Sequence, residues 1–249
     1  MYGDGVFRTL KMRAGKPLWW EDHYRKLKHD CTVLDLLCPE PVQLLGEINA
    51  LVREWPDCVV KIIVTRGEGT RGYAPPAIAS STRIVTVSPL PDYAQHSNNG
   101  AVLRWCKLRL SRQPALAGIK HLNRLENILA RKEWNDSDIA EGLLCDDTGA
   151  VIGGTMTNVF TLRDGCLYTP DLSQSGIEGV ARLRVLRAAK MHEIETKIQR
   201  LAASDVLSAD AVFLSNSIVG IWHVAQLDDR QWHPSGWTEQ LRHWIDETD

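Results

Sequence analysis

Apolar residues recur at helical spacing in two stretches near the start of the chain. Glu21 to Leu37 carries Leu27, Cys31, Leu34 and Leu37 on one face, and Val42 to Trp55 repeats the period with Leu44, Leu45, Ile48 and the pair Leu51 and Val52. Two β-branched runs follow, Cys58 to Thr65 and Thr82 to Val87, and both predict strands. The pattern then stops. Between Pro89 and Gly100 lie two prolines, an aspartate, a histidine, a serine, two asparagines and a glycine, the composition of a connection with no face to bury. This divides the chain into a smaller N-terminal α/β domain over 1–91, a linker over 92–100 and a larger domain over 101–249.

The second half mixes both periods. A strand and a loop lead to a helix from about Leu122 to Trp134, and a strand pair, Gly142 to Cys145 and Ala150 to Leu162, flanks the turn Asp146-Asp147-Thr148-Gly149. Arg163-Asp164-Gly165 turns the chain into Cys166 to Thr169. A helix from Val180 to about Met191 and a strand at Ala211 to Leu214 complete the mixture. The fold class this predicts is α+β in two domains.

Composition narrows the function by exclusion. Over 249 residues the formal net charge is −2, which gives no broad basic field for nucleic acid. The six cysteines are scattered, with neither CxxC nor Cys/His ligand spacing, so they read as small buried hydrophobes and not as a metal site or disulfide framework. No apolar run reaches membrane-spanning length, and Met1-Tyr2-Gly3-Asp4-Gly5 has no charged region leading into an apolar core. The expectation is a cytoplasmic protein with a small-molecule partner, without metal, membrane or nucleic acid.

Two segments offer chemistry. Gly67-Glu68-Gly69-Thr70-Arg71-Gly72 matches the GxGxxG dinucleotide pattern, but Tyr73-Ala74-Pro75-Pro76 follows where a helix should open. Consecutive prolines cannot supply the amide donors, so a glycine-rich hairpin connection is the better reading. The second segment is Gly118-Ile119-Lys120-His121-Leu122-Asn123-Arg124-Leu125-Glu126. A lysine with an apolar approach can be desolvated and oriented, which lowers the cost of its neutral amine and makes it a candidate Schiff-base nucleophile.

The run GIKHLNRLENILAR resembles the catalytic-lysine segment of the 4-amino-4-deoxychorismate lyases. These belong to the fold-type IV group of pyridoxal phosphate (PLP) enzymes, with the branched-chain and D-amino acid aminotransferases. Further pieces of the resemblance follow in chain order. Tyr2 to Thr9 resembles the group's YGDGxF segment, and His23-Tyr24-Arg25-Lys26-Leu27 resembles its HxxRL helix, with Lys26 in place of the arginine that binds the PLP phosphate. A lysine keeps the charge and loses the bidentate fork. Ser175 to Arg182 resembles the GxxGxxR element, in which Gly179 lets the chain turn and the amides of Val180 and Ala181 face the phosphate. Phe213-Leu214-Ser215-Asn216-Ser217 resembles a strand end that supplies a phosphate hydroxyl, here Ser217, and a substrate-facing asparagine, here Asn216. The run RGEGTRGYAPP resembles the loop over the active site, which points Arg71 and Tyr73 at the substrate.

There are two departures. Gly149 to Phe160 follows the group's segment G-x-V-x-E-x-x-x-x-N-[LV]-F, yet Gly153 stands where the glutamate on the pyridine nitrogen belongs. Its loss should leave room beside the ring and weaken the electron sink, so Gly153→Glu should raise the rate. The group also carries a first N-terminal strand before YGDG, so the expectation is either that this chain lacks that strand or that Met1 is an interior methionine used as a start. The resemblance implies a D-amino acid aminotransferase-like fold with PLP on Lys120, a homodimer, and conversion of 4-amino-4-deoxychorismate to 4-aminobenzoate and pyruvate, a step toward folate. The alternatives are a D-amino acid or branched-chain aminotransferase, and a PLP-binding protein whose catalysis is impaired by Gly153.

Overall fold

The computed structural model describes residues 2–69, 71–77, 79–93, 96 and 99–247. It falls into two units, Met1–Asp92 with Ile119–Asn123, and Tyr93–Gly118 with Arg124–Asp249. The second range of the first unit is a correction: residues 119–123 leave the 101–249 domain and join the N-terminal one. They do so because they hydrogen-bond to its first strand.

That strand, β1 (Gly5–Arg13), sends Val6, Arg8, Leu10 and Met12 to its buried side, the period of two expected of a sheet with one covered face. It pairs antiparallel with β2 (Lys16–Pro17) and β3 (Val59–Thr65), and β3 pairs with β4 (Thr82–Ser88). Two helices, α1 (Trp20–Val33) and α2 (Pro41–Leu51), bring Leu27, Cys31, Leu44 and Ile48 into one cluster with Val6, Leu10, Val60 and Ile62. The first helix ends at Val33 and not at Leu37, with Leu34 as its C-cap and Asp35 in the left-handed region at φ 52°. Arg66 satisfies the carbonyls left over, donating to Leu34 O at 2.7 Å and Asp35 O at 2.9 Å.

The glycine run 67–72 joins β3 to β4, whose last and first residues, Thr65 and Thr82, are antiparallel partners. It is a hairpin connection, as expected, although Thr70 lies outside the described residues.

In the second unit the sheet runs β10-β9-β8-β11-β12-β5-β6-β7. Its strands are β5 (Ala101–Leu110), β6 (Ile139–Asp146), β7 (Val151–Gly154), β8 (Asn158–Arg163), β9 (Cys166–Pro170), β10 (Thr196–Gln199), β11 (Ala211–Asn216) and β12 (Gly220–Leu227), with β13 (Arg230–Gln231) on β12. Leu143, Val159, Val212, Leu214, Trp222 and Val224 form its core. Four helices are described, α3 (Leu125–Arg131), α4 (Val180–Met191), α5 (Ala203–Leu207) and α6 (Gly236–Glu247). Of the expected linker 92–100, residues 94, 95, 97 and 98 lie outside the described residues, and Tyr93 packs edge-on against Trp222 at 5.1 Å.

The expected helix from Leu122 starts three residues later, because residues 120–122 are extended along β1. The expected strand Ala150 to Leu162 is two strands, broken by 155–157. Five of the six cysteines are buried and none is bonded to another. Among the described residues no helix is long and apolar enough to cross a membrane.

Gly142 on β6 leaves no room for a methyl group. A Cβ there would lie 2.5 Å from Cys106 Sγ and 2.8 Å from the Trp134 ring. We expect Gly142→Ala to lower the unfolding free energy by about 1–3 kcal/mol, measured by urea denaturation, as overpacking of a filled core does.

Candidate active site

The Lys120 segment is an extra extended strand on β1. Phe7 N–H donates to Lys120 O at 3.0 Å, Leu122 N–H donates to Gly5 O at 2.9 Å, and Val6 and His121 are antiparallel bridge partners. The preceding residues explain how the chain arrives there, since Gly118 turns it at φ 78° and Ile119 is buried. Lys120 is itself half-buried, with its Nζ 4.6 Å from the centroid of the Phe7 ring.

Its backbone N–H is held by a carboxylate from far away in sequence. Asp30 on α1 is fully buried; its Oδ2 accepts Lys120 N–H at 2.9 Å and also bonds Arg8 Nη2, while its Oδ1 accepts Lys26 Nζ at 2.9 Å. Desolvation pulls the Arg8 guanidinium down to about 9, and the nearby Cys31 opposes that shift. Of the two basic residues in the HxxRL-like helix, Lys26 is the inward one, at 5% exposure, whereas Arg25 is 70% exposed and pairs with Asp22 at 3.0 Å. Tyr73 is 87% exposed, its ring tilted at 57° against that of Tyr2 with centroids 5.0 Å apart, and Arg71 is exposed.

The second unit contributes a helix start. Gly179 is the N-cap of α4 in an extended conformation, φ −75° and ψ 151°, with no side-chain cap, so the amides of Val180 and Ala181 have no intrahelical partner. A Cβ at Gly179 would collide with Asn158 Oδ1, to which Gly179 N–H donates at 3.2 Å. Asn158 Nδ2 donates to Ile177 O at 2.7 Å, and Gly118 bonds Gly176 O and Glu178 N–H, each at 3.0 Å. The turn before the helix is thus held from both sides. Ser217 is half-buried in the turn between β11 and β12. Asn216 closes that turn: its Oδ1 accepts Ile218 N–H at 2.8 Å and Val219 N–H at 2.9 Å, and its Nδ2 donates to Met156 O at 3.4 Å.

The surroundings of Gly153 differ from expectation. A Cβ on it would stand 2.8 Å from the Thr157 carbonyl oxygen, so backbone fills the space where a cavity was expected. The loop that brings Thr157 there is organised by Glu141. This fully buried carboxylate accepts from Gly142 N–H, Thr155 N–H and Oγ1, Met156 N–H and Thr157 Oγ1, at 2.5 to 3.0 Å. Burial pushes its carboxyl up, and the donors from Thr155, Met156, Gly142 and Thr157 oppose that.

Asp30, Arg8, Glu141 and Asn158 escaped the sequence reading. Arg8 was legible, because the alternation of β1 puts it on the same side as Val6 and Leu10. Asp30 follows Lys26 by four residues, the spacing of an ion pair on one helix face.

Each unit by itself carries donors that suit a phosphorylated aldehyde: the first a half-buried lysine with a fixed backbone and a buried cation, the second a helix N-terminus whose first amides have no intrahelical partner. The profile of the amino-transferase class IV family matches residues 5–227. The chain belongs to this family. Within class IV it is 31% identical over 221 residues to an aminodeoxychorismate lyase of Vibrio harveyi, covering 88% of this chain and 82% of that one. A solved 4-amino-4-deoxychorismate lyase from Pseudomonas aeruginosa superposes with a TM-score of 0.92 at 42% identity, over 100% of this chain and 92% of the other. A Mycobacterium tuberculosis protein described as a hypothetical aminotransferase in a PLP-bound form shares the fold, with a TM-score of 0.83, 20% identity and coverage of 98% and 88%. Class IV membership makes PLP the cofactor.

With its Cβ position closed by Thr157 O, Gly153→Glu should not raise activity. We expect the substitution to cost about 1–3 kcal/mol of stability in urea and to leave PLP affinity no tighter, measured by fluorescence titration.

Proposed function

We propose that the chain is a PLP-dependent lyase that converts 4-amino-4-deoxychorismate to 4-aminobenzoate and pyruvate in the cytoplasm, as a homodimer. The observation that carries the reading is the Lys120 segment, in which one lysine is fixed at both backbone polar groups while its amine stays half-buried beside Phe7. The 42% identity to the Pseudomonas aeruginosa lyase over the whole chain supports the choice of lyase among class IV activities.

When bound, PLP supplies an electron sink for a carbanion next to the substrate's amino group. Lys120 Nζ would hold the cofactor, and the same amine would serve as the base. It takes the proton from ring carbon C4, and it returns a proton to the enolpyruvyl methylene as the C–O bond breaks and pyruvate leaves. In the second unit the amides of Val180 and Ala181 and the Ser217 hydroxyl would hold the phosphate and Asn216 would meet the substrate; in the first unit Lys26 is the expected phosphate cation, and Arg71 and Tyr73 are the expected substrate contacts. Aromatisation of the ring drives the step, which explains why Gly153 can replace a carboxylate at the cofactor ring.

A second copy of the chain covers the face of α3, where Leu125, Ile128 and Leu129 are 72%, 54% and 54% exposed at positions i, i+3 and i+4.

Purified protein with added PLP should release 4-aminobenzoate and pyruvate in equal amounts, and Lys120→Ala should abolish both. Amino-group transfer to a 2-oxo acid without 4-aminobenzoate would make it an aminotransferase instead, and neither product would mean a binder without turnover. Leu129→Glu should move the protein from dimer to monomer mass in light scattering, because a charge cannot be buried unpaired at that face.

A further inference from the structure

We infer that Asp30 is a positioning residue for Lys120, fixing the lysine's backbone and its spacing from Lys26 through one carboxylate. This rests on the proposed role of Lys120 and deepens it. The carboxylate is fully buried, and three elements converge on it: β1 through Arg8, α1 through Lys26, and the segment 119–123 through the Lys120 amide. Lys120 and Asp30 are 90 positions apart, so no local backbone preference creates the contact.

The geometry leaves Asp30 little freedom. Its Oδ1 is committed to Lys26 at 2.9 Å and its Oδ2 to Lys120 N–H at 2.9 Å, with Arg8 Nη2 on the same Oδ2. On the other side of the residue, Lys120 O takes the Phe7 amide at 3.0 Å. The lysine's Cα is therefore fixed by a side chain in front and a strand behind, so only the side-chain torsions remain to swing the amine. The proposed function gives Lys26 and Lys120 different parts of one cofactor. A single rigid carboxylate touching both would set the distance between those two holds. A mere filler of charge would need to contact Arg8 and Lys26 alone; the Lys120 amide is the bond that such a role leaves unexplained.

The test uses the full chain loaded with PLP. Borohydride reduction and peptide mapping of the unaltered protein comes first, and the pyridoxyl group should lie on Lys120. Asp30→Asn keeps size but cannot accept from three donors as a carboxylate does. It should lower kcat per bound PLP by about 100-fold, the scale of a misplaced reacting group, with a much smaller change in KM. The pH midpoint of the visible absorbance of the lysine-bound PLP should also shift by about one unit. If Asp30→Asn does not fold, Arg8→Gln decides: it leaves the carboxylate and loosens its grip, and should lower kcat per bound PLP by about 10-fold with a shift in the same midpoint. Variants that melt earlier yet keep kcat per bound PLP and the midpoint would reduce Asp30 to a structural charge and overturn the inference. A pyridoxyl group on another lysine would overturn it together with the proposed site, whereas labelled Lys120 with unaffected variants would overturn the inference alone.

Discussion

A carboxylate with no access to water costs several kcal/mol unless donors replace the solvent it has lost, and Asp30 is given three, from Arg8, Lys26 and the Lys120 amide. Each donor needs the others. Without the carboxylate, two cations at or below 5% exposure would sit in an apolar cluster, and the Lys120 segment would lose one of the bonds that hold it to the first unit. The extended pairing of 120–122 with β1 then follows as the route by which the chain reaches Asp30 and returns.

A second buried carboxylate organises the other unit in a similar way. Glu141 gathers the amides and hydroxyls of 155–157, which breaks what would otherwise be one strand into β7 and β8 and carries the Thr157 carbonyl against Gly153. Gly153 is therefore required by the packing of this loop, whatever the cofactor ring demands. Asn158, just after the loop, ties it to the start of α4 through Ile177 O and Gly179 N–H. Glu141 thus shapes the turn that precedes the unpaired amides without touching them.

Much of this was legible in the sequence because it depends on local period. The alternation of β1, the apolar spacing of α1 and α2, and the glycine preceding α4 predict the elements they form. The lysine segment was legible as a motif, and its chemistry came from resemblance. What stayed hidden is long-range. Nothing within ten residues of Asp30 says that its carboxylate meets an amide 90 positions on. The start of α3 at Leu125 was misplaced for the same reason, since Leu122 continues the apolar spacing of Leu125 and Leu129 and is held extended by a strand elsewhere in the chain. Gly153 was legible as a departure, but its cause, a carbonyl drawn in by Glu141, lies in a neighbouring strand.

The central claim is that the backbone of Lys120 belongs to the sheet of the first unit and is locked there before any ligand binds. Native-state hydrogen exchange at the Lys120 amide in the protein free of PLP tests it most directly. If the amide is held by the buried Asp30 carboxylate, it should exchange as slowly as the paired amides of β1 and β3, through opening of the whole unit. Exchange as fast as that of an exposed loop amide would show that the segment opens independently, and would contradict the account.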